Sequence, residues 1–179
     1  MKAAMLNFDF YNPTRVIFGD DRIAELPKRI PSDARILVLY GGDSARRTGT
    51  LDEVLDALVG HPVFEFGGIE PNPTYETLSK AVELVREEKV NFLLAVGGGS
   101  VIDGAKFVAA AASYEGDGLD ILNRRARILN ALPIGVVLTL AATGSEMNNG
   151  AVITHAATRT KYAFMSERLF PVFAILDPT

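Results

Sequence analysis

Between Arg15 and Leu176 short apolar, β-branched runs alternate with segments whose apolar residues recur at helical spacing, the pattern of a repeated strand and helix. Strands are predicted at residues 15–18, 35–40, 63–66, 92–96 and 134–140. Leu51, Val54, Leu55, Leu58 and Val59 fall at i, i+3, i+4, i+7 and i+8 and predict one amphipathic helix. Leu78, Ala81, Val82 and Val85 predict a second, opened by Thr74, with Glu83, Arg86, Glu87, Glu88 and Lys89 left in water. Residues 101–112 continue as an Ala-rich helix. A short helix towards Arg29 is expected to be capped by Asp20 and Asp21, and Pro71-Asn72-Pro73 is expected to be extended because proline disfavours a helical residue before it.

The run 92–96 is wholly apolar, as for a strand covered on both faces at the centre of a parallel sheet. The tail differs: residues 151–154 and 162–165 predict a hairpin, and 172–176 a last strand. The expectation is an α/β, Rossmann-like parallel sheet flanked by helices, with right-handed crossovers and a C-terminal β-hairpin extension, over 1–179 as one continuous domain.

Composition narrows the functions open to such a fold. At 179 residues, with 48% apolar and 22% charged, the chain can bury roughly 70% of the surface that its unfolded form exposes. A net charge of -4 without a basic stripe argues against a nucleic-acid partner and favours a small molecule. The absence of cysteine excludes disulfides, thiolate metal sites and a cysteine nucleophile. The two histidines, His61 and His155, have no ligand-like spacing. No apolar run is long enough for a membrane span, and Met1 to Phe10, interrupted by Lys2, Asn7 and Asp9, is unlike a signal peptide, so a cytoplasmic protein is expected.

Three strand ends carry candidate chemistry. Gly97-Gly98-Gly99-Ser100 leaves the central strand and enters a helix, where missing Cβ atoms let a phosphate approach free N–H groups and the dipole favours the anion by roughly 0.3 to 2 kcal/mol. Ser100 and Asp103 also fit a capping box, and a tight turn under a close-packed helix is the competing explanation. The stretch is not G-x-G-x-x-G, since Ile102 takes the third glycine position, nor a P-loop, since Ala105 stands where the lysine belongs and Lys106 falls one residue late. The second candidate, Gly42-Asp43-Ser44 with Arg46 and Arg47, leaves room for a ribose 2′-phosphate, although Asp43 can repel it or form an Asx turn and the arginines can be a solvated face. The third, Thr139, Leu140 and Thr143 with Ser145, offers hydroxyls for an adenine or ribose pocket or a helix cap, and Lys161 on the hairpin can reach an anion.

In order along the chain, FDFYNPTRVIFG (8–19), YGGDSARRTG (40–49), GGIEPNP (67–73), AVGGGSVIDGAK (95–106), LTLAATGSEMN (138–148) and AILDP (174–178) resemble the iron-containing, group III alcohol dehydrogenases, in their butanol dehydrogenase and NADPH-dependent aldehyde reductase branch. Dehydroquinate synthase and glycerol dehydrogenase relatives fit FDFYNPT and ATGSEMN less well. The resemblance implies an N-terminal dinucleotide domain, with a separate helical domain supplying a divalent metal, iron or zinc. It assigns Gly42, Asp43 and Ser44 to the adenosine ribose or its phosphate, and Gly97, Gly98, Gly99 and Ser100 to the pyrophosphate. Asp103 falls to the nicotinamide end, Thr139, Leu140 and Thr143 to the adenine side, and Lys161 to the ribose. NADP(H) is the expected cofactor and NAD the alternative, Asp43 standing where that branch has glycine.

The implied complete reaction is hydride transfer between nicotinamide and a primary alcohol or aldehyde, with the metal as Lewis acid. The helical metal-binding domain is read as absent from 1–179, which by itself is expected to show negligible dehydrogenase activity. The alternative is a non-catalytic dinucleotide-binding module. An apolar face left by a missing partner domain would favour a homo-oligomer.

Overall fold

The computed structural model describes residues 7–178, so the opening residues Met1 to Leu6 and the final Thr179 lie outside the described region. Six strands form one parallel sheet: β1 (Arg15–Phe18), β2 (Ile36–Tyr40), β3 (Val63–Phe66), β4 (Phe92–Gly97), β5 (Ile134–Leu138) and β8 (Phe173–Leu176), in the order β1-β8-β5-β4-β2-β3. The other two, β6 (Gly150–His155) and β7 (Thr160–Met165), form the antiparallel hairpin expected in the tail.

The period of two along these strands sorts their side chains onto two faces. Leu37, Leu39, Leu93, Ala95, Val136 and Ala174 join one buried cluster with α4 (Tyr75–Glu87) and α5 (Gly99–Ala112). Ile36, Val38, Phe92, Leu94, Val96, Val137 and Ile175 join the other, with α1 (Leu26–Arg29) and α3 (Thr50–Ala57). Each fully buried Leu, Ile or Val in these layers contributes about 1.5 to 3 kcal/mol. Gly135 on β5 makes room for the Phe173 ring, which stacks on Phe92 at 6.2 Å; a Cβ at Gly135 would lie 2.4 Å from Phe173 Cζ.

Helix α5 is buried almost throughout, between β4, α4 and the hairpin. Its alanines permit that close approach, as does Gly104, where a Cβ would lie 2.9 Å from Leu78 Cδ2. Two short helices, α2 (Ser44–Arg47) and α6 (Gly118–Leu122), were not legible in the periodicity.

Several local expectations are corrected. The strand expected at 134–140 ends at Leu138, and Leu140 stands 68% exposed beyond it. The stripe from Leu51 stops with α3 at Ala57, and Val59, next to the left-handed Gly60, faces solvent. Asn72 is not extended before Pro73 but has a positive φ of 57°, a conformation asparagine tolerates better than most residues.

Neither Asp20 nor Asp21 caps the first helical turn, Ile23–Glu25, whose flanking Arg22 makes no side-chain cap. Its free N–H groups are taken by Asp177, whose Oδ2 accepts from Arg22 N at 2.6 Å and Ile23 N at 3.2 Å. Among the described residues no helix is long and apolar enough to cross a membrane.

Candidate functional site

The chain runs from β2 to β3 on one side of the sheet, then returns across β2 to β4 and continues to β5 on the other. This reversal opens a crevice at the carboxyl ends of β2 and β4, where ligands bind in open α/β sheets. A cleft of about 430 Å³ lies there. Gly41, Gly42 and Ser44 from the β2 end, Gly98, Ser100 and Val101 from the β4 end, and Thr139 and Leu140 from the β5 end line it, with Ile69 and Pro71 beside them. Gly68 N donates to Gly41 O at 2.8 Å and Ile69 N to Tyr40 O at 3.2 Å, which pins the β2 turn against the segment after β3.

The three consecutive glycines do different jobs. A Cβ at Gly97 would meet Val101 Cγ2 at 2.6 Å, and one at Gly99 would meet Thr143 Oγ1 at 2.5 Å, so both are required by packing. Gly98 is the N-cap of α5 without a side-chain cap, and a Cβ there would make only ordinary 3.7 Å contacts with Leu140. At Gly42 a Cβ would meet nothing within 4 Å. Gly42 and Gly98 therefore leave open space in the cleft and an uncapped helix start beside it, the cradle a phosphate needs.

A second, smaller cleft of about 180 Å³ adjoins it, sharing Ser100 and lined also by Asn72, Pro73, Gly99, Asp103, Thr143, Val152 and Thr154. The sequence grouped Thr143 with Thr139 and Leu140, but the structure divides them between the two clefts. The proposed capping box does not form: α5 begins at Gly99, and Asp103 turns to the hairpin, accepting from Ser145 Oγ and Val152 N, each at 2.9 Å. Burial pushes the Asp103 carboxyl up, against hydrogen bonds from Val152 and Ser145 and the nearby Lys106 charge. Thr143 Oγ1 donates to Ser145 Oγ at 2.9 Å and accepts from Ser145 N at 3.3 Å, which is the local turn-capping role open to it.

The remaining candidates lie at the rim. Asp43 is exposed, flanks α2 without a side-chain cap, and lines neither cleft. Arg46 is drawn to the strand end, donating to Glu65 Oε2 at 2.7 Å and Tyr40 Oη at 2.8 Å. Lys161 is exposed and donates to Asn72 Oδ1 at 2.9 Å, while Asn72 N donates to Ser100 Oγ at 3.3 Å. Asn72 thus joins the glycine turn to the hairpin, at a position where the sequence predicted only an extended connection. Among the described residues no group of three or more His, Cys, Asp or Glu side chains is arranged to hold a metal. A larger cleft, about 660 Å³ and lined by residues such as Ile121, Arg127 and Phe164, shares no residue with these two.

A six-stranded parallel sheet flanked by helices, with β2, β4 and β5 ending at one glycine-lined crevice, is a Rossmann-like α/β fold, and the model of the iron-containing alcohol dehydrogenases matches residues 13–178. The chain belongs to that family. It is 59% identical over 177 residues to the NADPH-dependent aldehyde reductase YqhD of Escherichia coli K12, covering 97% of this chain and 46% of that protein. It is 49% identical over 177 residues to the probable NADH-dependent butanol dehydrogenase 1 of Bacillus subtilis, with the same coverage, 97% and 46%. The crystal structure of E. coli K-12 YqhD superposes with a TM-score of 0.93 at 59% identity, over 99% of this chain and 46% of that one. The chain spans about half the length of the curated relatives it matches.

Proposed function

We propose that this chain holds a nicotinamide dinucleotide across the two adjoining clefts, with NADP(H) preferred to NAD(H), as the nucleotide-binding portion of an alcohol dehydrogenase or aldehyde reductase. The observation that carries the reading is the convergence of Gly42, Gly98, Ser100, Thr139 and Leu140, from three strand ends, on one cleft at the sheet's reversal point. The adenosine half lies in the larger cleft between Gly42, Ser44, Thr139 and Leu140. The pyrophosphate sits over Gly98 to Ser100, where the uncapped start of α5 supplies N–H donors and Gly97 and Gly99 keep the turn tight. The nicotinamide half enters the smaller cleft beside Asp103 and Thr143, with Lys161 at its mouth through Asn72.

Preference for NADP(H) is supported by the open space at Gly42 and by the 59% identical NADPH-dependent relative. Asp43 and the engagement of Arg46 by Glu65 temper that preference, and NAD(H) is the competing cofactor. When bound, the nicotinamide supplies the hydride donor or acceptor, and this chain's residues bind and orient it. For the whole protein we propose hydride transfer to or from a primary alcohol or aldehyde, its oxygen polarised by a divalent metal held outside the residues described here.

Titration of the purified chain with NADPH and with NADH, followed by nicotinamide fluorescence, tests this. Gly98→Val should weaken binding by about tenfold or more, since its side chain occupies the cradle, while the ordinary contacts at that position leave thermal stability nearly unchanged. Saturable binding indifferent to Gly98→Val, or no binding of either nucleotide, would refute the assignment.

A further inference from the structure

Lys106 is a lysine with no exposed surface, in the middle of the apolar helix α5. An ammonium has three donors, and here each finds an acceptor on the segment entering the hairpin: Ser145 O at 2.8 Å, Asn148 Oδ1 at 2.8 Å and Gly150 O at 2.9 Å. One helical turn earlier Asp103 takes Ser145 Oγ and Val152 N from the same segment. The segment is thus gripped from one side by a cation and an anion of a single helix face. Glu146 places a third charge near Lys106, and its buried Oε2 has no hydrogen-bond partner. Asn12 closes the outer side, donating from Nδ2 to Met147 O at 2.7 Å.

The consequence reaches the clefts. Thr143 is bound to Ser145 and lies directly over Gly99, while Val152 and Thr154 form the wall facing Ser100 and Asp103. No residue of the segment 143–154 lines the larger cleft. We propose that Lys106 is a positioning residue for the smaller cleft: by holding Ser145, Asn148 and Gly150 on α5, it seats Thr143 over Gly99 and aligns the wall that meets the nicotinamide half of the cofactor. This rests on the proposed function for the identity of the ligand but not for the structural linkage. Ordinary helix packing needs no cation there, and a buried lysine serving only to fill space would be better replaced by methionine.

The test compares the chain with Lys106→Met and with the milder Asn148→Ala, which removes one acceptor at an exposed position. Two probes separate the clefts: NADPH, and the fragment adenosine 2′,5′-bisphosphate, which lacks the whole nicotinamide nucleotide half. Lys106→Met is expected to weaken NADPH by roughly tenfold and Asn148→Ala by roughly threefold, with the fragment's affinity unchanged in both. Amide hydrogen exchange without ligand should quicken at Ser145 to Val152 and stay slow in β4. Equal losses for NADPH and the fragment, or unchanged exchange in the segment, would overturn the inference. Should the unsubstituted chain bind neither probe, the proposed function falls, and the exchange measurement alone decides whether Lys106 holds the segment.

Discussion

The β6–β7 hairpin and the six-stranded sheet meet at the smaller cleft but are held by different physics. In the sheet, alternate side chains of β2, β4, β5 and β8 enter two apolar layers, and the polar groups are mainly the paired backbone. The hairpin buries only Ala151, Ile153 and Phe164 of its side chains, with Phe164 set edge-on to Phe107 at 6.3 Å. A two-stranded hairpin is marginal alone. Polar contacts complete its attachment: Lys106 and Asp103 near its start, Lys161 to Asn72 alongside, and at its tip Glu76, which accepts from Ala156 N at 3.1 Å and Ala157 N at 3.0 Å. The sheet beside the site is thus held by apolar burial, and the hairpin by a few buried side chains together with polar and charged contacts.

The sharpest way to break the apolar half is Gly135→Val. With Phe173 Cζ only 2.4 Å from the position of the new Cβ, the stacked Phe92 and Phe173 rings must move. The expected loss is about 3 kcal/mol or more, read by urea denaturation. A stable, well-folded variant would show that the sheet centre can repack.

The polar half is challenged by Lys106→Met, expected to cost about 2 kcal/mol near neutral pH because three acceptors lose their donors. Its pH dependence sharpens the contrast. Burial lowers the Lys106 amine from 10.5 to about 8, against the pull of Asp103 and Glu146. Between those two values the unfolded chain binds the proton that the folded chain has released, so the stability of the unsubstituted chain rises with pH across that window. Measured at roughly pH 7 and pH 9.5, the deficit of Lys106→Met should therefore widen at the higher pH. A deficit that stays constant or narrows would mean the buried amine keeps its proton.

Asp177→Ala is the mildest test and lies on the sheet side, where polar groups serve only at the ends. Loss of the acceptor for Arg22 N and Ile23 N should cost about 1 kcal/mol, seen as a small fall in Tm. A loss as large as that of Gly135→Val would mean that polar end contacts carry the sheet as much as its core does.

Most of the sheet was legible because its strands are buried on both faces and read as unbroken apolar runs, as Phe92 to Val96 does. The glycine turns were legible too, and so was the meeting of the β2, β4 and β5 ends once a doubly covered parallel sheet was expected. Less visible were contacts between residues far apart in the chain. Asp20 and Asp21 sit where a local cap belongs, but Asp177 takes the role from a distant strand end. Asp103 matches a capping box at local range and is claimed instead by Ser145 and Val152. Lys106 was weighed only as a displaced P-loop lysine; a lone cation in an Ala-rich helix was the available sign that something polar must meet it. Thr143 was grouped with Thr139 by sequence proximity, but it packs against Gly99 and bonds Ser145, which places it in the other cleft.

The pairing of β1 with β8, reinforced by Asp177, also bears on how the chain is made. At a synthesis rate of roughly 5 to 20 residues per second, the 155 positions that separate Asp177 from Arg22 take about 8 to 30 s to emerge. Throughout that interval β1 has no strand to pair with, because β8 is its neighbour in the sheet and β1 forms the edge. Strands β2 to β5 can assemble meanwhile, while Phe18, 73% exposed even in the finished fold, remains open to stray association on the ribosome. The earliest of these strands to be synthesised is therefore among the last to find its place.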